Sequence, residues 1–194
     1  MAADKRSAAR LNASIAFLDE SGLLMAPLVR RTWAPRGQTP ILLQRTRSRD
    51  KVSMVATLTV SPRRRRVGLY AALLVNANVN AERLVEYLRA LLRHLRGPLI
   101  LVWDRLNVHR AGSVKALLRR HPRLQTELLP AYAPELNPVE GVWSYLKLNP
   151  LANHAPEGAL ELARTALGHT RRVARRPSLL RSFIHASGLS LRFN

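Results

Sequence analysis

Two short runs of the chain are apolar without interruption, and each ends at an acid. SIAFL at 14–18 stops at Asp19, and LILVW at 99–103 stops at Asp104. Unbroken apolar runs bounded by turn residues predict strands buried on both faces. KVSMVATLTV at 51–60 is rich in β-branched residues, and VGLYAALLV at 67–75 follows it after Ser61-Pro62 and four arginines. That pair predicts an antiparallel hairpin. RRTWAPRGQTP at 30–40, with two prolines and a glycine, predicts a loop or an irregular hairpin. From Asn80, an N-cap, Leu84, Leu88, Leu91 and Leu95 recur at helical spacing until Gly97-Pro98. Further helices are expected over 113–120, from Asn137-Pro138 onward with Glu140, Trp143, Leu146 and Lys147, from beyond Pro156 to Arg176, and from Pro177. A short strand is expected at 126–129. Strands first, then helices alternating with strands, predict an α/β fold with helices packed on a mixed central sheet.

The 194 residues suit one domain, or one domain with a small appendage. Cysteine is absent, which excludes disulfide scaffolds, thiolate metal sites and cysteine nucleophiles. No apolar stretch is long enough for a secretory signal or a membrane span, so a soluble intracellular protein is expected. Charge changes the picture most. Thirty-two Lys and Arg against twelve Asp and Glu give a formal net charge of +20, which predicts attraction to a polyanion, most simply nucleic acid.

With so few acids, their placement is informative. If the strands before Asp19 and Asp104 are parallel neighbours, roughly 4.8 Å apart, the two carboxylates emerge side by side. Such a pair repels unless it shares a proton or holds a cation. Divalent metals bridged by carboxylates are the usual solution for phosphoryl transfer, and Mg²⁺ suits oxygen-only sites. The competing reading is that each Asp caps the turn that follows it. Glu140 also has two readings: a ligand, or the third residue of a capping box with Asn137 and Pro138.

Three stretches, FLDESG at 17–22, VWDRLNVHR at 102–110 and LPAYAPELNPVEGVWSYLK at 129–147, resemble the catalytic domain of the mariner superfamily of cut-and-paste transposases. They are most like its bacterial branch, the insertion sequence 630 family, and TWAPRGQTP at 32–40 fits that family's loop after the first strand. The resemblance implies a ribonuclease-H-like fold with a mixed central sheet flanked by helices. It implies a site for two Mg²⁺ ions, with Mn²⁺ as a substitute, held by the catalytic acids Asp19, Asp104 and Glu140. Thirty-five residues (105–139) separate the last two, within the superfamily's range. Glu20 and His109 match motif positions and, with Asn107, are expected as active-site neighbours; for His109 a structural role is the equal alternative.

The implied activity is cleavage and strand transfer of double-stranded DNA, at transposon ends and at a target, by a homodimer on DNA in the nucleoid of a bacterial cytoplasm. Expected boundaries are a tail at 1–13, a catalytic domain at 14–150, and a helical extension at 151–194 packed on or continuing it. A tail of thirteen residues is too short for a helix-turn-helix, so end recognition is expected from a separate chain. Arg45, Arg47 and Arg49, which alternate onto one face of an extended segment, and Arg63, Arg64, Arg65 and Arg66 at the hairpin turn are expected to bind DNA. Trp33, Trp103 and Trp143 are expected to pack rather than stack on bases. Two other functions compete: an inactive transposase remnant that binds DNA by charge alone, and another ribonuclease-H-like nuclease.

Overall fold

The computed structural model describes residues 11–26, 28–43, 50–63, 66–189 and 191. Its strands are β1 (Ser14–Leu24), β2 (Lys51–Val60), β3 (Val67–Val75), β4 (Leu99–Trp103) and β5 (Leu124–Leu128). They form one sheet in the order β3-β2-β1-β4-β5. β1–β2 and β2–β3 are antiparallel, whereas β1–β4 and β4–β5 are parallel. The helices are α1 (Ala81–His94), α2 (Gly112–Arg120), α3 (Val139–Leu148), α4 (Ala159–Ala174) and α5 (Pro177–Ala186).

Helices cover both faces of the sheet. Phe17, Met54, Leu58, Ile100 and Val102 meet Val142 and Leu146 of α3, Leu162 of α4, and Leu180 and Ile184 of α5. On the other face, Ala16, Leu18, Val55, Leu99 and Leu101 meet Leu84 and Leu88 of α1 and Val114 and Leu117 of α2. A strand buried on both faces needs an apolar residue at every position. This is why residues 15–18 and 99–103 carry unbroken apolar runs.

The α1 boundaries follow their local chemistry. Asn80 Oδ1 accepts from the Arg83 N–H at 3.0 Å, a true N-cap. At the far end the Arg123 guanidinium donates to the carbonyls of Leu92, Leu95 and Gly97 at 2.6–2.7 Å, satisfying acceptors that the helix leaves open. Gly97, at φ +85°, lets the chain turn out of α1.

Three expectations are corrected. β1 does not stop at Asp19 but runs to Leu24, because β2 continues to pair with it from Glu20↔Val55 to Leu24↔Lys51. The parallel ladder with β4 ends at Phe17↔Val102, so the polar residues lie on a strand flanked on one side only. The strand expected at 126–129 is Leu124–Leu128. Trp33 is fully exposed rather than packed, in a segment (28–43) whose single turn closes from Gln38 N–H to Pro35 C=O.

Candidate active site

Sheet register brings the first two acids together. The last parallel pair is Phe17↔Val102, and side chains alternate along a strand, so Asp19 and Asp104 two residues on face the same side. Asp104 begins the loop after β4, where its Oδ1 accepts from the Leu106 N–H at 3.0 Å. Asp104 therefore closes the turn that follows it, and the same residue lines the cleft described below.

The third acid arrives on α3, which hydrogen bonds sew to β1. Asn137 Nδ2 donates to the Leu18 carbonyl at 3.1 Å, Trp143 Nε1 to Asp19 Oδ2 at 2.8 Å, and Lys147 Nζ to Ser21 Oγ at 2.8 Å. Glu140, Trp143 and Lys147 lie three and four residues apart and so share one helix face. The expected capping box does not form. Asn137 Oδ1 accepts from the Val139 N–H at 3.2 Å, a local Asx-type turn, the Glu140 N–H goes to the Asn137 carbonyl at 3.1 Å, and α3 begins without a side-chain cap. Among the described residues the Glu140 carboxylate makes no side-chain hydrogen bond, and it stands on the wall of the cleft.

That cleft, about 370 Å³, is lined by Asp19, Asp104 and Glu140 together with Arg105, Asn137 and Tyr132. Burial, first, and the negative charges of Glu140, Glu20 and Asp104 push the Asp19 carboxyl up to about 7, against the lowering effect of the Trp143 hydrogen bond. A carboxylate so raised is short of positive charge. The donors are all oxygen, which fits a hard divalent cation. Among the described residues no three acidic or histidine side chains close around a single point. A cation here would complete its shell with waters and substrate phosphates, as Mg²⁺ commonly does.

The expected neighbours are distributed differently. Glu20 follows Asp19 on the strand and so projects to the opposite face, where its Oε1 lies 3.1 Å from His109 Nε2. His109 is buried, stacks on Trp103 with ring centroids 4.3 Å apart, and does not line the cleft. Burial alone would lower its pKa. The hydrogen bond and charge of Glu20 and the carbonyl and carboxylate of Asp104 outweigh that, and its pKa lies above the ordinary histidine value. Asn107 is exposed in a 3₁₀ turn (Asn107–Arg110) and is not part of the cleft wall either.

Arg63 and Arg66 flank the β2–β3 turn and are exposed. Because Val60 pairs with Ile15, that turn lies at the end of β1 remote from Asp19. Arg45, Arg47, Arg49, Arg64 and Arg65 lie outside the described residues.

Sequence reasoning missed three features of the cleft and its support. Trp143 was expected only to pack, although its spacing from Glu140 places both on one helix face. Asn137 was read only as a cap. Tyr132 is fully exposed on the cleft rim with φ +58°, a left-handed backbone for which no local signal exists.

A family model described as DDE superfamily endonuclease matches residues 14–161. Among curated proteins none matches. Among solved structures, the chain is similar to the Mos1 mariner paired-end complex with Mn, at 17% identity, over 92% of this chain and 56% of that one, with a TM-score of 0.56. It is similar to the Mos1 strand transfer complex at 17% identity, over 97% of this chain and 62% of that one, with a TM-score of 0.56. The catalytic domain of Mos1 mariner transposase matches at 14% identity over 97% and 94%, with a TM-score of 0.51. At these identities the likeness establishes the fold, which is ribonuclease-H-like. This chain spans 56% and 62% of the length of the first two Mos1 chains. Since the family model takes in every strand, the first three helices and all three acids, the chain belongs to the DDE superfamily of endonucleases.

Proposed function

We propose that this chain is the catalytic domain of a mariner-type transposase, cleaving double-stranded DNA and joining the freed 3′ end to a target. The observation that carries the reading is the convergence of Asp19, Asp104 and Glu140, from two adjacent parallel strands and one helix, on a single cleft. The similarity to the Mos1 strand transfer complex and to the Mos1 paired-end complex with the left transposon end supports DNA as the substrate.

Asp19, Asp104 and Glu140 are the catalytic acids and would hold two Mg²⁺ ions, or Mn²⁺ in their place. When bound, the metal supplies Lewis-acid activation of the attacking oxygen and neutralises charge on the leaving one. Trp143 orients Asp19 through its indole N–H, and Asn137 fixes the start of α3 against β1. Arg105, exposed on the cleft wall, is placed to meet a phosphate. The arginines at 45–49 and 63–66 contribute sequence-independent phosphate attraction.

The helical extension expected at the C-terminus is read as continuing the catalytic unit, since α4 and α5 share one hydrophobic core with α3 and the sheet. Whole-protein properties belong to this reading as well: a homodimer on DNA, end recognition by a helix-turn-helix, and work at the bacterial nucleoid. Among the described residues no helix is long and apolar enough to cross a membrane.

The test is nicking of supercoiled plasmid at low salt with Mg²⁺ or Mn²⁺, wild type beside Asp104→Asn. Metal-dependent nicking by the wild type and none by the variant is the expected result. Nicking that survives in Asp104→Asn refutes the site assignment.

A further inference from the structure

Resting on that reading of the cleft, we propose that Glu20 and His109 form a positioning pair that sets the spacing and orientation of Asp19 and Asp104 from the face of the sheet behind them. Neither residue touches the cleft. They act through the backbone and carboxylate of its two aspartates.

Asp104 needs such support. It lies just past the end of β4, where no strand ladder holds it, and its side chain is 43% exposed. His109 Nδ1 lies 3.1 Å from the Asp104 carbonyl oxygen and 3.2 Å from its Oδ1, while Nε2 lies 3.1 Å from Glu20 Oε1. The ring cannot turn away from these partners. It lies flat on Trp103, with an interplanar angle of 5°, and is 5% exposed. Glu20 is the residue after Asp19. One imidazole therefore ties the strand carrying the first carboxylate to the loop carrying the second.

Packing alone does not account for Glu20. Its side chain is only 11% exposed, and its Oε2 is buried without a hydrogen-bond partner. A buried, half-satisfied carboxylate costs stability relative to an apolar residue of similar size. Supporting hydrogen bonds behind metal-binding carboxylates typically matter by about 10–100-fold in metal affinity. Carboxylates that share ions need their geometry held within about 0.5 Å.

The experiment measures Mn²⁺ binding by titration calorimetry, plasmid nicking, melting in EDTA and metal-free DNA binding, on three variants of the full chain. His109→Phe keeps the stack on Trp103 and removes both ring nitrogens. Glu20→Leu removes the acceptor, and Glu20→Gln keeps an oxygen that accepts from Nε2. We expect His109→Phe and Glu20→Leu to weaken Mn²⁺ binding by about tenfold or more, with Glu20→Gln retaining most of it. Metal-free DNA binding should be unchanged in all three. Should His109→Phe fail to fold, the contrast between Glu20→Gln and Glu20→Leu decides alone.

Wild-type Mn²⁺ affinity in both Phe and Leu variants, with losses confined to melting in EDTA, overturns the proposal. Equal loss in Gln and Leu also overturns it, because the effect then belongs to the charge of Glu20. A wild type that neither binds Mn²⁺ nor nicks DNA sinks the functional reading as well. A wild type that nicks beside indifferent variants sinks only the positioning pair.

Discussion

The Asp19 carboxyl is largely enclosed, faces two other acids across the cleft, and takes one hydrogen bond from Trp143. With its pKa raised to about 7 from 3.8, the folded metal-free protein holds a proton that the unfolded chain releases earlier. The sign follows from linkage. This group's contribution to stability is fully present below pH 4 and is lost as pH rises from about 4 to 7. Urea unfolding in EDTA should therefore show Asp19→Asn gaining stability relative to wild type across that window, with the difference largest above pH 7. A flat difference from pH 4 to 8 would mean that Asp19 is not strained. Trp143→Phe removes the hydrogen bond that favours the ionised carboxylate. It should cost about 2 kcal/mol through the lost hydrogen bond and vacated volume, read from the same unfolding curves. It should also move the pH dependence of nicking upward. The acids and their motif spacing were legible in the sequence. The indole–carboxylate bond was not, because it joins residues 124 positions apart.

At the scale of elements, α3 is seated by close contact as well as by hydrogen bonds. A Cβ placed on Gly141 would lie 2.9–3.1 Å from the Phe183 side chain of α5, so this glycine marks where two helices approach. Gly141→Ala should destabilise the fold by about 1–3 kcal/mol through overpacking, and adding Phe183→Leu should recover part of that in thermal melts. Arg123→Met should cost about 1.5–3 kcal/mol, since it leaves three carbonyls at the end of α1 without their charged donor. Its midpoint of urea unfolding is the measurement. Most elements follow from local chemistry: Asn80 capping α1, Gly97 closing it, the prolines and glycine of 30–40 excluding regular structure. β1 beyond Asp19 is the instructive exception. Asp, Glu, Ser and Gly in succession are turn residues by composition, yet they extend as strand because β2 supplies a ladder there and the missing neighbour on the other side is the cleft.

Across the whole molecule, a formal charge of +20 makes binding to DNA without metal largely counterion release. Affinity for random duplex should fall by about a thousandfold or more between 50 and 200 mM salt, measured by fluorescence anisotropy; a shallow salt dependence would assign the basic residues to solubility alone. Arg63 and Arg66 stand at the end of the sheet opposite the cleft, so charge reversal there should weaken non-specific binding while leaving metal affinity unchanged. The sequence by itself determined most of the elements, the strand-then-helix order, the positive charge and the spacing of the three acids, because periodicity, turn chemistry and motif spacing are local properties of a chain. Only the tertiary structure decided which acids share a face. Strand alternation and the parallel register of β1 with β4 send Asp19 and Asp104 into the cleft and Glu20 behind it to His109, and register is a relation between segments that no single stretch of sequence contains.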